Sequence, residues 1–329
     1  MQNQINIIEM DEKPPPIDEL SYCSGSSEEK ERDAKSLAVL LGVESHEAKT
    51  YSSRPAVVGH RGLIYEEMEN TLPAFQKAAD IGCDAVELDV FLLVCGTLIV
   101  FHGGGPNNLG ALDESCGQSG NIMDLNYEQV KQLKMNVDNP EFVCPRDKVE
   151  DAVIPTLEEV LVFAKERDLR ISLELKGPDT SDPVLNLVED FDMVDQITFS
   201  SFDLERIARI RELRPHIDTA TQTHVYKTAA LFEDVPDDLL QVVMQAGASE
   251  VHLRYDTCTR SRIDAIHALG MSTLAWLKSP PLMEHDCAVN YLDIGNEDER
   301  LFQTIMNSGV RSICTNRPDV LIRHLMSSC

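Results

Sequence analysis

The chain contains 329 residues, 43% of them hydrophobic, and carries a formal net charge of −27 at pH 7. This length accommodates one large domain with an extension, and the sequence has no uninterrupted apolar run of the roughly 18 residues that a membrane-spanning helix requires. The negative charge disfavours binding to nucleic acid or to an anionic membrane surface, because long-range repulsion opposes the encounter.

Two further features bear on the cellular compartment. The first twelve residues contain neither the basic segment nor the apolar run of a secretory signal. The nine cysteines are odd in number and include no C-x-x-C pair, a pattern typical of reduced thiols. We therefore expect a cytoplasmic protein.

The N-terminal segment differs in composition from the rest of the chain. Residues 1–50 carry 11 acidic and 5 basic side chains, a net charge of −6, and Tyr22 is their only aromatic residue. Such a segment buries too little apolar surface to offset the entropy of ordering it. We expect residues 1–54 to form an acidic, disordered extension, with a docking or regulatory segment as the alternative, and residues 55–329 to form the folded domain.

From residue 56 onward, short apolar runs alternate with stretches of helical period. Strands are predicted at residues 56–59, 84–90, 170–176, 196–200, 217–221, 250–253, 272–276 and 311–315, and helices at residues 72–81, 157–167, 204–213, 236–246, 260–269 and 297–307. Eight strands with intervening helices predict an α/β fold, a (β/α)8 TIM-type barrel with a small insertion at its rim. A doubly wound sheet is the alternative fold.

The insertion follows the second predicted strand. Residues 97–101 come directly after a Cys95-Gly96 turn, so we expect them to pair with that strand and to place His102 at the rim. Residues 103–153 form the longest insertion and contain a helix predicted at residues 127–134. Long loops at a barrel mouth usually shape a substrate pocket.

Acidic side chains lie near the ends of the second and third predicted strands, where such barrels carry their active sites. Glu87 and Asp89 are two residues apart and so point to the same side of a strand, and Glu174 with Lys176 repeats this spacing. Carboxylates that are crowded together and lose hydration require a cation. Ligands that offer only oxygen favour a divalent Mg2+ or Ca2+ ion over zinc.

A buried ion-pair network is the structural alternative, but Arg61 and Lys176 would leave one of the three acids unpaired. With a divalent ion bound, the same groups retain one positive charge and should attract a monoanion. A phosphodiester is such a monoanion, and its hydrolysis needs charge stabilisation on the phosphoryl oxygens together with a base and an acid. His60 and His102 suit these two roles, because imidazole titrates near neutral pH.

Short motifs occur in a fixed order along the predicted barrel. They are Gly59-His60-Arg61-Gly62, Glu69-Asn70-Thr71, Glu87-Leu88-Asp89, Phe101-His102, Ile154-Pro155-Thr156-Leu157-Glu158-Glu159, Glu174-Leu175-Lys176, Ser200-Ser201-Phe202 and Thr315-Asn316-Arg317-Pro318-Asp319. Each motif alone is weak, but the ordered set, which spans nearly all of residues 57–322, resembles the glycerophosphodiester phosphodiesterase family.

The resemblance implies a (β/α)8 barrel that cleaves glycerophosphodiesters to glycerol 3-phosphate and an alcohol, using two histidines and a divalent ion. It implies that His60 and His102 are the acid–base pair. It also implies that the metal ligands are Glu87, Asp89 and Glu174, and that the phosphate contacts are Arg61 and Lys176. Glu69 is implied as a contact near the metal or as a partner of Arg61. Trp276 is implied as a substrate contact near the leaving group.

Several positions depart from the family pattern. Gly103 follows His102 where the family usually has an acidic residue, so the orientation of His102 is expected to differ. Leu277 and Lys278 replace the usual small polar residues after Trp276, and this bears on which leaving group is accepted.

Two other functions compete with this interpretation. A lysophospholipase D or sphingomyelinase D-like phosphodiesterase would need an exposed apolar lip for an acyl chain. A barrel without activity that serves as a binding module is the alternative of another class. The sequence leaves open whether water attacks phosphorus directly or a glycerol hydroxyl first closes a cyclic phosphate.

Overall fold

Eight parallel strands close into a barrel in the computed structural model, which describes residues 54–104, 108–215, 217–218, 223–278 and 297–327. The barrel strands are β1 (Ala56–Gly59), β2 (Ala85–Leu92), β4 (Arg170–Leu175), β5 (Ile197–Ser201), β8 (Lys227–Phe232), β9 (Glu250–Arg254), β10 (Ser272–Trp276) and β11 (Ser312–Thr315). They follow the order β1-β11-β10-β9-β8-β5-β4-β2, and pairing of β1 with β2 completes the ring. The predicted TIM-type barrel is confirmed.

Helices cover the outside of the barrel and the insertion. They are α1 (Leu72–Asp80), α2 (Asp113–Cys116), α3 (Tyr127–Val130), α4 (Arg146–Glu150), α5 (Leu157–Glu166), α6 (Ser181–Asp190), α7 (Leu204–Leu213), α8 (Leu239–Ala246), α9 (Arg260–Ala268), α10 (Glu299–Asn307) and α11 (Pro318–Ser327). Because helices lie over one face of the strands and side chains fill the interior, both faces of the strands are largely buried.

Two of the ordered motifs begin helices. Thr71 is the N-cap of α1, where its side chain accepts a hydrogen bond from the Ala74 amide. Thr156 caps α5 in the same way and forms a capping box with Glu159. These caps satisfy amide groups that the first helical turn leaves unpaired. The two motifs therefore fix where helices start after β1 and before β4.

The fifth barrel strand differs from the prediction. Residues 217–221 were predicted as a strand of the barrel, but β6 (Ile217–Asp218) forms only a short antiparallel ladder with β7 (Thr223–His224). The barrel strand is β8, which pairs with β5 and β9. Residues 217–221 are richer in β-branched side chains, whereas β8 contains Ala229 and Ala230, whose small side chains have low strand propensity but pack fully buried in the barrel.

The hairpin after β2 is confirmed, with β3 (Leu98–Val100) pairing antiparallel to β2. The helix predicted at residues 127–134 is shorter than expected, because α3 ends at Val130. The extension predicted at residues 1–54 lies outside the described residues except for Arg54.

Two observations concern the expected compartment. Among the described helices, none is both long and apolar enough to cross a bilayer. The cysteines of the described part of the chain, Cys83, Cys95, Cys116, Cys144, Cys258 and Cys314, are all free thiols.

Candidate active site

Three carboxylates meet at the ends of β2 and β4. These strands are parallel neighbours whose register places Asp89 directly beside Glu174, while Glu87 lies two residues earlier on the same face as Asp89. One oxygen of each carboxylate lies within 4.8 Å of the others. All three side chains are buried. Adjacent strand register therefore builds the cluster that the spacing of two predicted.

The turn after β1 brings Arg61 to this cluster. Gly62 has φ 96°, and a Cβ added there would lie 2.7 Å from Ala74, so only glycine fits the turn. Arg61 itself has φ 54°, a backbone conformation that is rare outside glycine. Its amide donates a hydrogen bond of 3.2 Å to Glu87 Oε2. The strained turn thus aims both the backbone and the side chain of Arg61 at the carboxylates.

The Arg61 guanidinium is held by two acids. Its Nη1 contacts both oxygens of Glu69, at 3.1 and 2.9 Å, and its Nε lies 3.5 Å from Asp89 Oδ2. Asn70 donates from Nδ2 to the same Asp89 oxygen at 2.8 Å. Two roles were expected for Glu69, a contact near the metal or a partner of Arg61, and its position fits the second.

Lys176 supplies the second cation of the site. It follows the end of β4, and its Nζ lies 3.3 Å from Asp89 Oδ1 and 3.3 Å from Glu174 Oε1. The ammonium is buried together with its partners. The buried site therefore contains the three clustered acids, Glu69 and two cations, so that negative charge exceeds positive charge.

Burial and mutual repulsion leave two of the clustered acids poorly stabilised as anions. Burial, together with Asp89 and Glu174, raises the pKa of Glu87 well above its usual value. Burial raises the pKa of Glu174 to about 7 although Lys176 opposes the shift. Burial also acts on Asp89, but the nearby Lys176 and other positive groups hold its pKa below the usual range. Such a group of oxygen donors fits a hard divalent cation, which would stabilise the anionic forms.

His60 lies directly beside this cluster. Its Nε2 is 3.8 Å from Glu87 Oε2, and its Nδ1 is 2.8 Å from Asn316 Oδ1. The neighbouring positions arise from strand register, because Gly59 of β1 pairs with Thr315 of β11. Burial, reinforced by Arg61, lowers the pKa of His60 to about 3. The ring is therefore neutral around pH 7.

His102 follows β3 and is partly exposed. Burial of its ring, reinforced by Arg61 and Lys176, lowers the pKa of His102 well below its usual value. Its ring forms no hydrogen bond with the described residues. The residue after this histidine is usually acidic in the family that the motifs resemble, and here it is Gly103. Gly103 has φ 70°, and a Cβ added there would lie 2.9 Å from Gly110, so this turn excludes a carboxylate side chain.

The opposite side of the mouth is aromatic and charged. Trp276 at the end of β10 meets Phe202, which follows β5, edge to face with ring centroids 5.6 Å apart. The buried Trp276 indole nitrogen has no hydrogen-bond acceptor among the described residues. Lys278 Nζ lies 3.1 Å from Glu233, which also pairs with Arg254 at 3.6 Å. In the order of the barrel, β10 with Trp276 lies three strands from β2.

The structure brings together eight of the nine residues selected from sequence and places Trp276 across the mouth. Three further residues were not assigned roles: Asn70, Asn316 and Glu297. Asn70 and Asn316 occur in the ordered motifs, so the sequence could have indicated that they lie at the site. Glu297 has no such signal, because it lies 19 residues before Asn316 and outside every motif.

The profile of the Glycerophosphoryl diester phosphodiesterase family matches residues 60–320. The chain belongs to this family. It is therefore a hydrolase of the phosphodiesterase class, and the resemblance drawn from the motifs is confirmed.

Individual family members align with this phosphodiesterase over different lengths. YqiK of Bacillus subtilis is 30% identical over 172 residues, which cover 51% of this chain and 66% of YqiK, slightly less than two thirds. A glycerophosphodiester phosphodiesterase of Caldanaerobacter subterraneus is 22% identical over 271 residues, covering 81% of this chain and 96% of that protein.

A solved structure supports the barrel. A phosphodiesterase of Oleispira antarctica, in complex with the product sn-glycerol-3-phosphate, is 20% identical to this chain. The similarity has a TM-score of 0.65 and covers 83% of this chain and 97% of the other. At this level of identity, the likeness establishes the fold.

Proposed function

We propose that this phosphodiesterase hydrolyses glycerophosphodiesters to glycerol 3-phosphate and an alcohol. The observation that carries the proposal is the group of Glu87, Asp89 and Glu174, with oxygens within 4.8 Å of one another, next to two buried cations. Once a divalent ion is bound, its charge together with Arg61 and Lys176 balances the three ligands and Glu69, so the loaded site no longer repels an anion. The ion and the two cations can then hold a phosphodiester monoanion.

The three carboxylates are the proposed ligands of Mg2+ or Ca2+. All their donor atoms are oxygen, which these hard ions prefer, and the raised pKa values of Glu87 and Glu174 are what acids without a cation would show. When bound, the ion would stabilise negative charge on the phosphoryl oxygens.

His60 and His102 are proposed as the acid–base pair, with Arg61 and Lys176 as phosphate contacts. One imidazole removes a proton from the attacking hydroxyl, and the other protonates the departing alkoxide. The attacking hydroxyl belongs either to water or to the glycerol, in which case a cyclic phosphate forms first. Glu69 orients Arg61 for its contact with the phosphate, because both Glu69 oxygens accept from Arg61 Nη1.

The far side of the mouth is the proposed site of the leaving alcohol. Trp276 offers an indole N–H without an acceptor in the described structure, and Phe202 extends the aromatic surface with 42% of its area exposed. The charged group of Glu233, Arg254 and Lys278 continues this rim. Charged side chains beside one aromatic pair favour a small polar alcohol over the long acyl chain of a lysophospholipid.

A substrate panel tests the proposal and its alternatives. Purified protein with Mg2+ or Ca2+ would be incubated with glycerophosphocholine, glycerophosphoethanolamine and lysophosphatidylcholine, and products would be quantified. We expect glycerol 3-phosphate from the first two substrates, at higher kcat/KM than lysophosphatidic acid from the third. Preference for the lysophospholipid would favour the lysophospholipase D alternative, and binding of these diesters without turnover would favour a binding module. Asp89→Asn is the matched inactive control.

We further propose that residues 55–329 form the catalytic domain, that residues 1–54 are an extension, and that the protein is cytoplasmic. The free thiols of the described residues support a reducing compartment. The net charge of −27 supports a small-molecule substrate over nucleic acid as partner.

A further inference from the structure

Glu297 is a buried carboxylate next to the active site that belongs to none of the recognised motifs. It lies two residues before α10 and is only 5% exposed. Its Oε2 accepts from the Thr315 hydroxyl and from the amides of Asn316 at 3.0 Å and Arg317 at 3.2 Å. Its Oε1 accepts from Asn316 Nδ2 at 2.5 Å. Four donors therefore converge on one carboxylate.

This arrangement fixes the side-chain amide of Asn316. Its Nδ2 donates to Glu297 Oε1 and also to the Lys278 carbonyl oxygen at 2.8 Å. Both neighbours are acceptors, so a rotated amide would place Oδ1 against two oxygens and lose both bonds. Oδ1 must therefore face His60 Nδ1, which lies 2.8 Å away.

An amide oxygen only accepts hydrogen bonds, so the nitrogen that faces it must carry the hydrogen. We propose that Glu297 is a positioning residue which, through Asn316, holds His60 in the tautomer with hydrogen on Nδ1 and a lone pair on Nε2. This inference rests on the proposed function, in which His60 is one of the two acid–base groups.

The tautomer distinguishes the roles of the two histidines. His60 Nε2 is the nitrogen on the side of the carboxylate cluster, 3.8 Å from Glu87 Oε2. A lone pair there can take a proton from the attacking hydroxyl, whereas a hydrogen there could not. His60 is therefore the base, and His102, which must enter the step as an imidazolium, is left to protonate the leaving alkoxide. In each step one proton moves, from the attacking hydroxyl to Nε2 and from His102 to the leaving oxygen.

Glu297→Gln tests the chain of contacts with almost no change in shape. Three donors require an oxygen at the position of Oε2, so the new amide nitrogen faces Asn316 Nδ2. Two donors then oppose each other. Rotation of the Asn316 amide removes this conflict and turns Nδ2 toward His60 Nδ1, at the cost of the hydrogen bond to the Lys278 carbonyl oxygen. The ring must then accept at Nδ1 and carry its hydrogen on Nε2.

The readout is the 15N spectrum of histidine-labelled protein in the presence of Mg2+, with His60 assigned by its loss in His60→Gln. We expect the wild-type ring to carry hydrogen on Nδ1 and the Glu297→Gln ring to carry it on Nε2. Turnover in Glu297→Gln should fall by about 100-fold or more, because the base has lost its lone pair. Mg2+ affinity should stay within about twofold, since Glu297 contacts no proposed metal ligand.

A second variant tests rescue. When Glu297→Gln is combined with Asn316→Asp, the new amide at position 297 donates to one oxygen of the new carboxylate, while the other oxygen accepts from His60 Nδ1. The hydrogen bond to the Lys278 carbonyl oxygen stays lost, so the rescue is expected to be partial. We expect the hydrogen to return to Nδ1 and turnover to be at least about tenfold higher than in Glu297→Gln alone. Glu189→Gln is the matched control, because Glu189 also accepts several hydrogen bonds, from Arg214 and Tyr226, far from the mouth. It should leave both tautomer and turnover unchanged.

A wild-type ring with hydrogen on Nε2 would overturn the inference without any variant, as would an unchanged Nδ1 hydrogen in folded Glu297→Gln. If the tautomer shifts in Glu297→Gln but turnover stays full, the control of His60 by Glu297 is upheld. The acid–base role that the proposed function gives to His60 is then overturned.

Discussion

The site depends on a few side chains whose positions are fixed at the level of single residues. Arg61 adopts a left-handed backbone, Gly62 leaves room for Ala74, and Asn70 and Glu69 hold the charged groups in place. Residues in such strained conformations persist only where surrounding contacts compensate. The arrangement therefore concentrates strain where two cations and three carboxylates meet.

Removing one charged ligand should weaken metal binding. Glu87→Gln, Asp89→Asn and Glu174→Gln each replace a carboxylate oxygen in a cluster with only three acids, so we expect the affinity for Mg2+ to fall by at least about tenfold, or about 1.4 kcal/mol. Isothermal calorimetry would measure this. Unchanged affinity in all three variants would remove the metal-site assignment.

The histidines should behave as proton-transfer groups. His60→Ala or His102→Ala should lower kcat by about 100-fold or more with metal affinity nearly intact, and the double variant should be little slower than either single variant. Rapid-quench or coupled assays over a range of pH would measure kcat. A single variant that retains near-normal rates at every pH would exclude that residue from the pair.

At the scale of elements, strand register accounts for most of what sequence could predict. Residues spaced by two on one strand share a face, and parallel neighbours bring Asp89 beside Glu174, so the carboxylate cluster followed from spacing alone. The fifth strand could not be predicted in the same way, because Ala229 and Ala230 lack strand propensity and are selected by packing. Glu297 was missed since its contact with Asn316 depends on tertiary folding.

A histidine in the last turn of α9 should make stability depend on pH. His267 Nε2 lies 2.9 Å from Thr273 Oγ1, and burial, with Arg311, lowers the pKa of His267 to about 4. An unfolded histidine titrates near pH 6.5, so the unfolded chain binds more protons between these values. The stabilising contribution of neutral His267 is therefore present above about pH 6.5 and is lost as the pH falls toward 4.

The measurement is the free energy of unfolding in urea from pH 7.5 to pH 4.5 for wild type and His267→Gln. We expect the variant to lose less stability than wild type over this interval, because its side chain takes up no proton on unfolding. Parallel curves for the two proteins would contradict the role assigned to His267.

For the whole molecule, the excess of acidic groups opposes the approach of an anionic substrate. The net charge is −27, whereas the bound ion, Arg61 and Lys176 are expected to attract the phosphate at short range. Long-range repulsion and short-range attraction then act on the same diester, and salt weakens the first more than the second because buried groups are less screened.

Residues 1–50 carry part of that negative charge. Deleting residues 1–50 removes a net charge of −6, so we expect kcat/KM to rise slightly at low ionic strength, with the gain shrinking as salt is added. The melting temperature should stay nearly the same, because Tyr22 is the only aromatic residue that the segment could bury. A full-length variant with six of the tail acids changed to amides is the control for charge alone. A large fall in melting temperature on truncation would show that the segment packs on the barrel.

The most direct test of the proposed reaction follows the oxygen that attacks phosphorus. Glycerophosphocholine would be hydrolysed in 18O-labelled water with Mg2+, and the products would be identified by 31P NMR and mass spectrometry. We predict choline without label, glycerol 3-phosphate with one 18O on phosphorus, and no reaction after chelation of the metal or in Glu174→Gln. Release of phosphocholine and glycerol would contradict the proposed leaving group. Label in an alcohol, or turnover that survives chelation, would contradict metal-dependent hydrolysis at phosphorus.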